Sequence, residues 1–162
     1  MKLLVVCLGN ICRSPMGEGA LRARVERSTL AGRVEVDSAG TAGWHRGKPP
    51  DPRAVACARR HGVDIAGLRA RPLRSEDFRT FDHIFCADAD NLADALALAP
   101  PEFATRASLW LPWAGVEGAT AVPDPYYGGE ADFERSWALL EAAAEATVQR
   151  LSGQLDSGII GP

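Results

Sequence analysis

A single α/β domain built on a parallel sheet is predicted by three observations on this 162-residue, 17.3 kDa chain. Short apolar runs with β-branched residues recur along it, stretches of helical periodicity separate them, and the first run stops abruptly at a polar loop containing glycine. Strands alternating with helices imply right-handed crossovers, and the length suits one domain with its own core.

The first strand is residues 2–7 (KLLVVC), too short an apolar run before Gly9 for a secretion signal. A helix over 16–29 follows, with Leu21 and Val25 on its apolar face. Residues 33–38 (RVEVDS) alternate as a second strand. Asp51 and Pro52 open a helix over 52–61 as cap and first residue, and Gly62 ends it. A third strand is predicted at 82–87, a helix at 89–98 stopped by Pro100 and Pro101, and a weaker strand at 106–111. The last helix, 130–152, repeats Phe133, Trp137, Leu140, Ala144, Val148 and Leu151 three or four apart. The domain therefore spans 1–152, and the glycine-containing stretch 153–162 is expected to be a flexible tail.

Composition excludes several classes. With 46% apolar and 24% charged residues and a net charge of −3, the chain is neither disordered, collagenous nor membrane-spanning. Residues 1–80 hold 15 Lys and Arg against 8 Asp and Glu, whereas 81–162 hold 3 against 13. The basic residues are dispersed and no groove-reading motif appears, so nucleic acid is not an expected partner. Four cysteines are too sparse for a disulfide scaffold, and without an export signal a reducing cytoplasm is the expected compartment.

Ligands in such folds sit at the carboxyl ends of the strands, which directs attention to Cys7-Leu8-Gly9-Asn10-Ile11-Cys12-Arg13-Ser14-Pro15. Ser14 suits an N-cap and Pro15 the first helical position, so the loop wraps before a helix N-terminus that favours an anion. Gly9 permits close backbone approach and Asn10 tolerates positive φ, allowing successive N–H groups to form a nest. Arg13 adds a planar fork for two oxygens of a tetrahedral anion. The same field favours the thiolate form of Cys7, poised beneath a bound phosphorus atom.

The segment VCLGNICRSPMGEG resembles the phosphate-binding loop of the low-molecular-weight protein tyrosine phosphatases. The resemblance continues, in the family's order, through DSAGTAGWHRGKPPDPRA (37–54), EDFRTFDHIFCADADNL (76–92) and VPDPYYGGEADFE (122–134). It implies the phosphotyrosine phosphatase I fold, a four-stranded parallel sheet flanked by helices on both faces. It implies Cys7 as nucleophile, Arg13 as phosphate clamp, and Ser14 as the hydroxyl supporting the sulfur. Asn10, helped by Ser38, would hold the loop's backbone. Leu8, Gly9, Ile11 and Cys12 complete the phosphate cradle, and Asp88 and Asn91 fall near its support.

Asp124, between Pro123 and Pro125, matches the family's general acid. It would protonate the departing phenol and then, as base, activate the water that hydrolyses phosphocysteine. The first step needs opposite protonation states at Cys7 and Asp124, so a bell-shaped pH profile with its optimum on the acidic side of neutral is expected. Tyr126 and Tyr127 on one side and Trp44 on the other are candidate walls for a phenyl ring, with His45 at the rim. The remaining tryptophans, Trp110, Trp113 and Trp137, read as core or surface hydrophobes.

The expected substrate is a tyrosine-phosphorylated protein, with a bacterial tyrosine kinase among the possibilities, and phosphate or other oxyanions as inhibitors. No cofactor is expected, because Arg13 and the loop N–H groups neutralise the phosphate charge. No metal is expected either, since no second cysteine pair and no histidine pair has ligand spacing. Arsenate reductases share the loop but need two further cysteines close together; here Cys86 stands alone and Cys57 lies far upstream. Arginine phosphatases favour Thr where this chain has Ile11 and lack the paired tyrosines. A non-catalytic phosphate-binding adaptor would not need Cys7, Arg13 and Asp124 together. The resemblance also implies that oxidised Cys7 closes a disulfide onto Cys12, while Cys57 and Cys86 are read as core.

Overall fold

The computed structural model describes residues 1–158. Strand β1 (Lys2–Cys7) lies in the interior of the sheet, and its alternating side chains divide the core in two. Leu3, Val5 and Cys7 point into one apolar cluster, and Leu4 and Val6 into the other. A strand buried on both faces reads as an unbroken apolar run, as LLVVC does. Parallel neighbours β2 (Glu35–Gly40) and β3 (His83–Cys86) flank it, and β4 (Ala107–Leu109) pairs with β3, giving the order β2-β1-β3-β4. The expected four-stranded parallel sheet with helices on both faces is therefore present.

The larger cluster is roofed by α1 (Arg13–Glu26), α2 (Pro52–Arg60), α5 (Trp110–Ala114) and α6 (Glu130–Asp156). The smaller one is closed by α3 (Asp77–Thr80), α4 (Ala89–Leu96) and a 3-10 turn at Pro101–Arg106, through Phe78, Ala95 and Phe103. Helix α1 is buried on all sides over its first half, from Arg13 to Leu21. Two glycines permit that: a Cβ on Gly17 would stand 2.9 Å from the Trp110 ring, and one on Gly19 2.5 Å from the Ile65 side chain. Trp110 and Trp137 are core residues. The indole of Trp110 donates to Thr147 on α6 at 2.9 Å, so its buried N–H is satisfied.

Several boundaries differ from the expectation. Helix α1 begins at Arg13, with Cys12 rather than Ser14 at the cap, because the Ser14 hydroxyl is engaged by its neighbours in the loop. The fourth strand is only three residues long. Trp110 to Ala114 turn helical instead, and Pro112 fits there because first-turn N–H groups need no helical partner. Elements α3 and the 3-10 turn were not anticipated; four and six residues are too few to display a period. Helix α6 continues to Asp156, since Leu151 is buried and Leu155 packs on the core while Gly153 faces open space. The break expected at 153 is therefore not at that position, and residues 159–162 of the expected tail lie outside the described residues. Among the described residues no helix is long and apolar enough to cross a membrane.

Candidate active site

The carboxyl end of β1 runs directly into the loop, and the neighbouring strand's extension pins it. Thr41 N–H donates to the Cys7 carbonyl and Ala42 N–H to the Leu8 carbonyl, each at 2.9 Å. Gly40 makes this approach possible, because a Cβ there would meet the Leu8 carbonyl oxygen at 2.8 Å. On the far side, Asp51 N–H at the start of α2 donates to the Ile11 carbonyl at 2.8 Å.

Asn10 is the one non-glycine residue among those described with positive φ, at 56°. Its side chain accounts for that conformation. Nδ2 donates to Ser14 Oγ at 2.7 Å and to Ser38 Oγ at 3.0 Å, and Oδ1 accepts from Arg71 N–H at 3.0 Å. With one lone pair of Ser14 Oγ occupied by Asn10, the hydroxyl proton can serve the Cys7 sulfur, which lies 3.0 Å away. Ser14 N–H also points at that sulfur, at 3.4 Å. A hydrogen bond to a charged acceptor contributes about 1.5–3 kcal/mol, so these two donors favour sulfur carrying negative charge. The chain of donors ends at Glu18 beneath the loop, which accepts from Ser38 Oγ at 2.6 Å. Burial raises the Glu18 carboxyl above its ordinary range, against the opposing pull of Ser38 and Arg22.

Arg13 is almost wholly buried, and its guanidinium is oriented by acceptors behind it. Nη1 donates to Asp88 Oδ2 at 2.6 Å and to the Val122 carbonyl at 3.0 Å. Asp88 is itself fixed as the N-cap of α4, accepting from Asn91 N–H at 2.8 Å. Nη2 stands 3.6 Å from Asp124 Oδ2. Burial alone would lower this guanidinium, but negative charge on the Cys7 sulfur and the Asp88 and Asp124 carboxylates more than offset it and hold the group above its ordinary value. Arg13 therefore stays charged in a nearly dry position.

Asp124 sits on the loop between α5 and α6, with its side chain about two-fifths exposed. Val122 N–H donates to the Ala87 carbonyl at 2.9 Å, and Ser136 Oγ on α6 donates to the Pro123 carbonyl at 2.8 Å. Those bonds pin the backbone just ahead of Asp124. Its Oδ1 accepts from Tyr126 N–H at 3.1 Å, leaving Oδ2 toward the loop.

One cleft of about 210 Å³ gathers Cys7, Leu8, Gly9, Ile11, Cys12, Arg13, Trp44, His45, Asp124, Tyr126 and Tyr127. Asn10 and Ser14 are not on its wall; they stand behind it as supports. Trp44 is 71% exposed and Tyr127 96% exposed, so neither is spent on core packing. The Tyr126 and Tyr127 rings meet edge to face with centroids 5.0 Å apart. Cys12 is buried in the loop, and burial pushes its thiol far above the ordinary value, so it stays protonated beside Cys7.

Sequence reasoning missed Arg53. Its guanidinium lies over the Tyr126 and Phe133 rings, donates to the Tyr126 and Gly128 carbonyls, and pairs with Asp51. Asp51-Pro52-Arg53 reads in sequence as a helix start, and nothing local tells that its arginine holds a wall 73 residues later. Ser136 was missed for the same reason.

The family model for low molecular weight phosphotyrosine protein phosphatase matches residues 2–157. The low molecular weight protein-tyrosine-phosphatase of Streptomyces coelicolor is 40% identical over 158 residues, covering 96% of each chain. A protein tyrosine phosphatase from Entamoeba histolytica, crystallised with Hepes in the active site, superposes with a TM-score of 0.89 at 37% identity over 99% of both chains. Vibrio vulnificus Wzb in complex with benzylphosphonate gives 0.80 at 31% identity, over 92% of this chain and 97% of that one. The chain belongs to the low molecular weight phosphotyrosine protein phosphatase family.

Proposed function

We propose that Cys7, Arg13 and Asp124 carry out phosphotyrosine hydrolysis in this chain, with the loop 8–14 as cradle. The chain is a protein tyrosine phosphatase that works through a cysteine nucleophile. The observation that carries the residue assignment is the convergence of a sulfur, a buried charged guanidinium and a carboxyl on one cleft.

In the first step a Cys7 electron pair forms the S–P bond as the P–O bond to the phenol breaks, and Asp124 delivers a proton to the leaving oxygen. In the second, Asp124 takes a proton from water, whose oxygen attacks phosphorus and returns sulfur to the thiolate stabilised by Ser14. Arg13 and the loop N–H groups meet the charge on the equatorial oxygens. Because Arg13 is oriented by Asp88 and Val122 before substrate arrives, little reorganisation is left for the reaction.

Trp44, Tyr126 and Tyr127 receive the phenyl ring, and Arg53 keeps Tyr126 in place. Two relatives support a site for an oxyanion with an attached group: the Entamoeba enzyme with Hepes, a sulfonate, and the Vibrio protein with benzylphosphonate. Free phosphate and similar oxyanions then act as competitive inhibitors. The substrate is a tyrosine-phosphorylated protein, a bacterial tyrosine kinase among the candidates, and the free state of all four cysteines suits a reducing cytoplasm.

The test compares matched peptides. Phosphotyrosyl peptide is expected to turn over at least about tenfold faster than phosphoarginyl or phosphoseryl peptide, the discrimination given by about 1.4 kcal/mol of ring contact. Equal turnover of all three would reject the aromatic walls as the source of selectivity.

A further inference from the structure

Toward the C-terminal end of α2, away from the end that meets the loop, three side chains of metal-ligating type come together outside the active site. Cys57 and His61 stand four residues apart, at the end of α2 and just beyond it, and Glu134 reaches them from α6. Their Sγ, ring nitrogen and carboxylate oxygen all lie within 4.8 Å of one another. We propose that Cys57, His61 and Glu134 form a site for a thiophilic divalent cation, zinc by ligand set, with a fourth position open to water.

The ligand chemistry fits. Zinc takes thiolate, imidazole and carboxylate together at about 2.0–2.3 Å, which needs ligand atoms roughly 3.5 Å apart, so the sulfur draws in while the His61–Glu134 pair opens by about an ångström. A thiolate and a carboxylate balance the cation's two charges, the thiol proton leaving to solvent. His61 Nε2 already faces Glu134 Oε2 at 2.6 Å, so the ion takes the place of the proton between them, which moves to Nδ1 of the ring or leaves to solvent with the thiol proton.

The surroundings orient the set. The His61 ring stacks on Trp137 with centroids 5.1 Å apart and planes 15° apart. Glu134 keeps Oε1 in a 2.8 Å bond from Arg60 Nε, which orients the carboxylate and leaves Oε2 to bind through one oxygen. Arg60 is a nearby positive charge, and Glu130 at 3.7 Å offsets it. Cys57 is fully buried while His61 and Glu134 are about a third exposed, so an ion enters from the solvent side and settles on the sulfur.

The position gives the site a consequence. Helix α2 begins at the residues that hold the Ile11 carbonyl and Tyr126, and α6 begins just after the tyrosine loop. An ion bridging α2 to α6 braces the two helices that carry one wall of the cleft.

Cobalt(II) is the probe, added to the Cys7→Ser variant so that the active-site thiol does not compete. A thiolate-to-cobalt charge-transfer band is expected, displaced by zinc, and lost when Cys57→Ser is added. Because Cys57 is buried, His61→Gln and Glu134→Gln at the surface carry the test independently, and each is expected to weaken binding by at least about tenfold. Absence of the band, or a band insensitive to any of the three added changes, overturns the assignment.

Discussion

Cys7→Ser lowers kcat toward p-nitrophenyl phosphate by a factor on the order of 10⁴ or more, as loss of a nucleophile does in other covalent hydrolases. Serine fits the space, since Cys7 is buried at the end of β1 and the oxygen is smaller than the sulfur. It can make the same two contacts with the Ser14 hydroxyl and N–H that the sulfur makes. What it lacks is the thiolate: a hydroxyl in the same field remains protonated near neutral pH and attacks phosphorus slowly. Phosphate binding is therefore expected to survive, because Arg13 and the loop N–H groups are untouched. Isothermal titration with phosphate separates the two effects, a loss of kcat with a retained Kd.

Asp124→Asn removes the proposed proton donor while keeping the shape of the loop. An amide oxygen still accepts from Tyr126 N–H, so the bond that orients this side chain persists. General acid catalysis typically supplies about 10²–10⁴-fold, and a loss in that range is expected for phosphotyrosine, whose phenol leaves poorly without a proton. For p-nitrophenyl phosphate, whose leaving group is already a weak base, the loss is smaller. The pH profile separates the roles further. The proposed mechanism requires thiolate at Cys7 and acid at Asp124, so a bell is expected for the wild-type enzyme, and the variant is expected to keep the acidic limb and lose the alkaline one. Stopped assays across pH with both substrates read these signatures, and an unchanged alkaline limb would remove Asp124 from the mechanism.

The contrast between what could be read in the sequence and what could not has a physical basis. The loop from Cys7 to Pro15 was legible because its chemistry is local: strand end, glycine, positive-φ asparagine, arginine and helix start lie within nine residues. Asn10 adopts the positive φ anticipated for it. Strand β1 was legible because burial on both faces leaves no polar alternation. The fourth strand was read too long because Trp110 and Leu111 are apolar in either state, and only Pro112 hinted at a helix start. Arg53 and Ser136 act on partners outside their own helices, at sequence separations of 73 and 13. Composition carries no trace of such pairings. Cys57 and His61 carry no signal singly for the same reason: their spacing becomes a ligand pair only at a helix end, and Glu134 comes from another element.

The proposed mechanism turns on a covalent bond between Cys7 and phosphorus. Rapid acid quench of Asp124→Asn with an aryl phosphate, followed by peptide mass spectrometry, tests it most directly. A phosphorylated peptide containing residues 3–13 is expected, with the phosphoryl group on Cys7, formed within one turnover and absent from Cys7→Ser. Phosphate on another residue, or full turnover by Cys7→Ser, would contradict it.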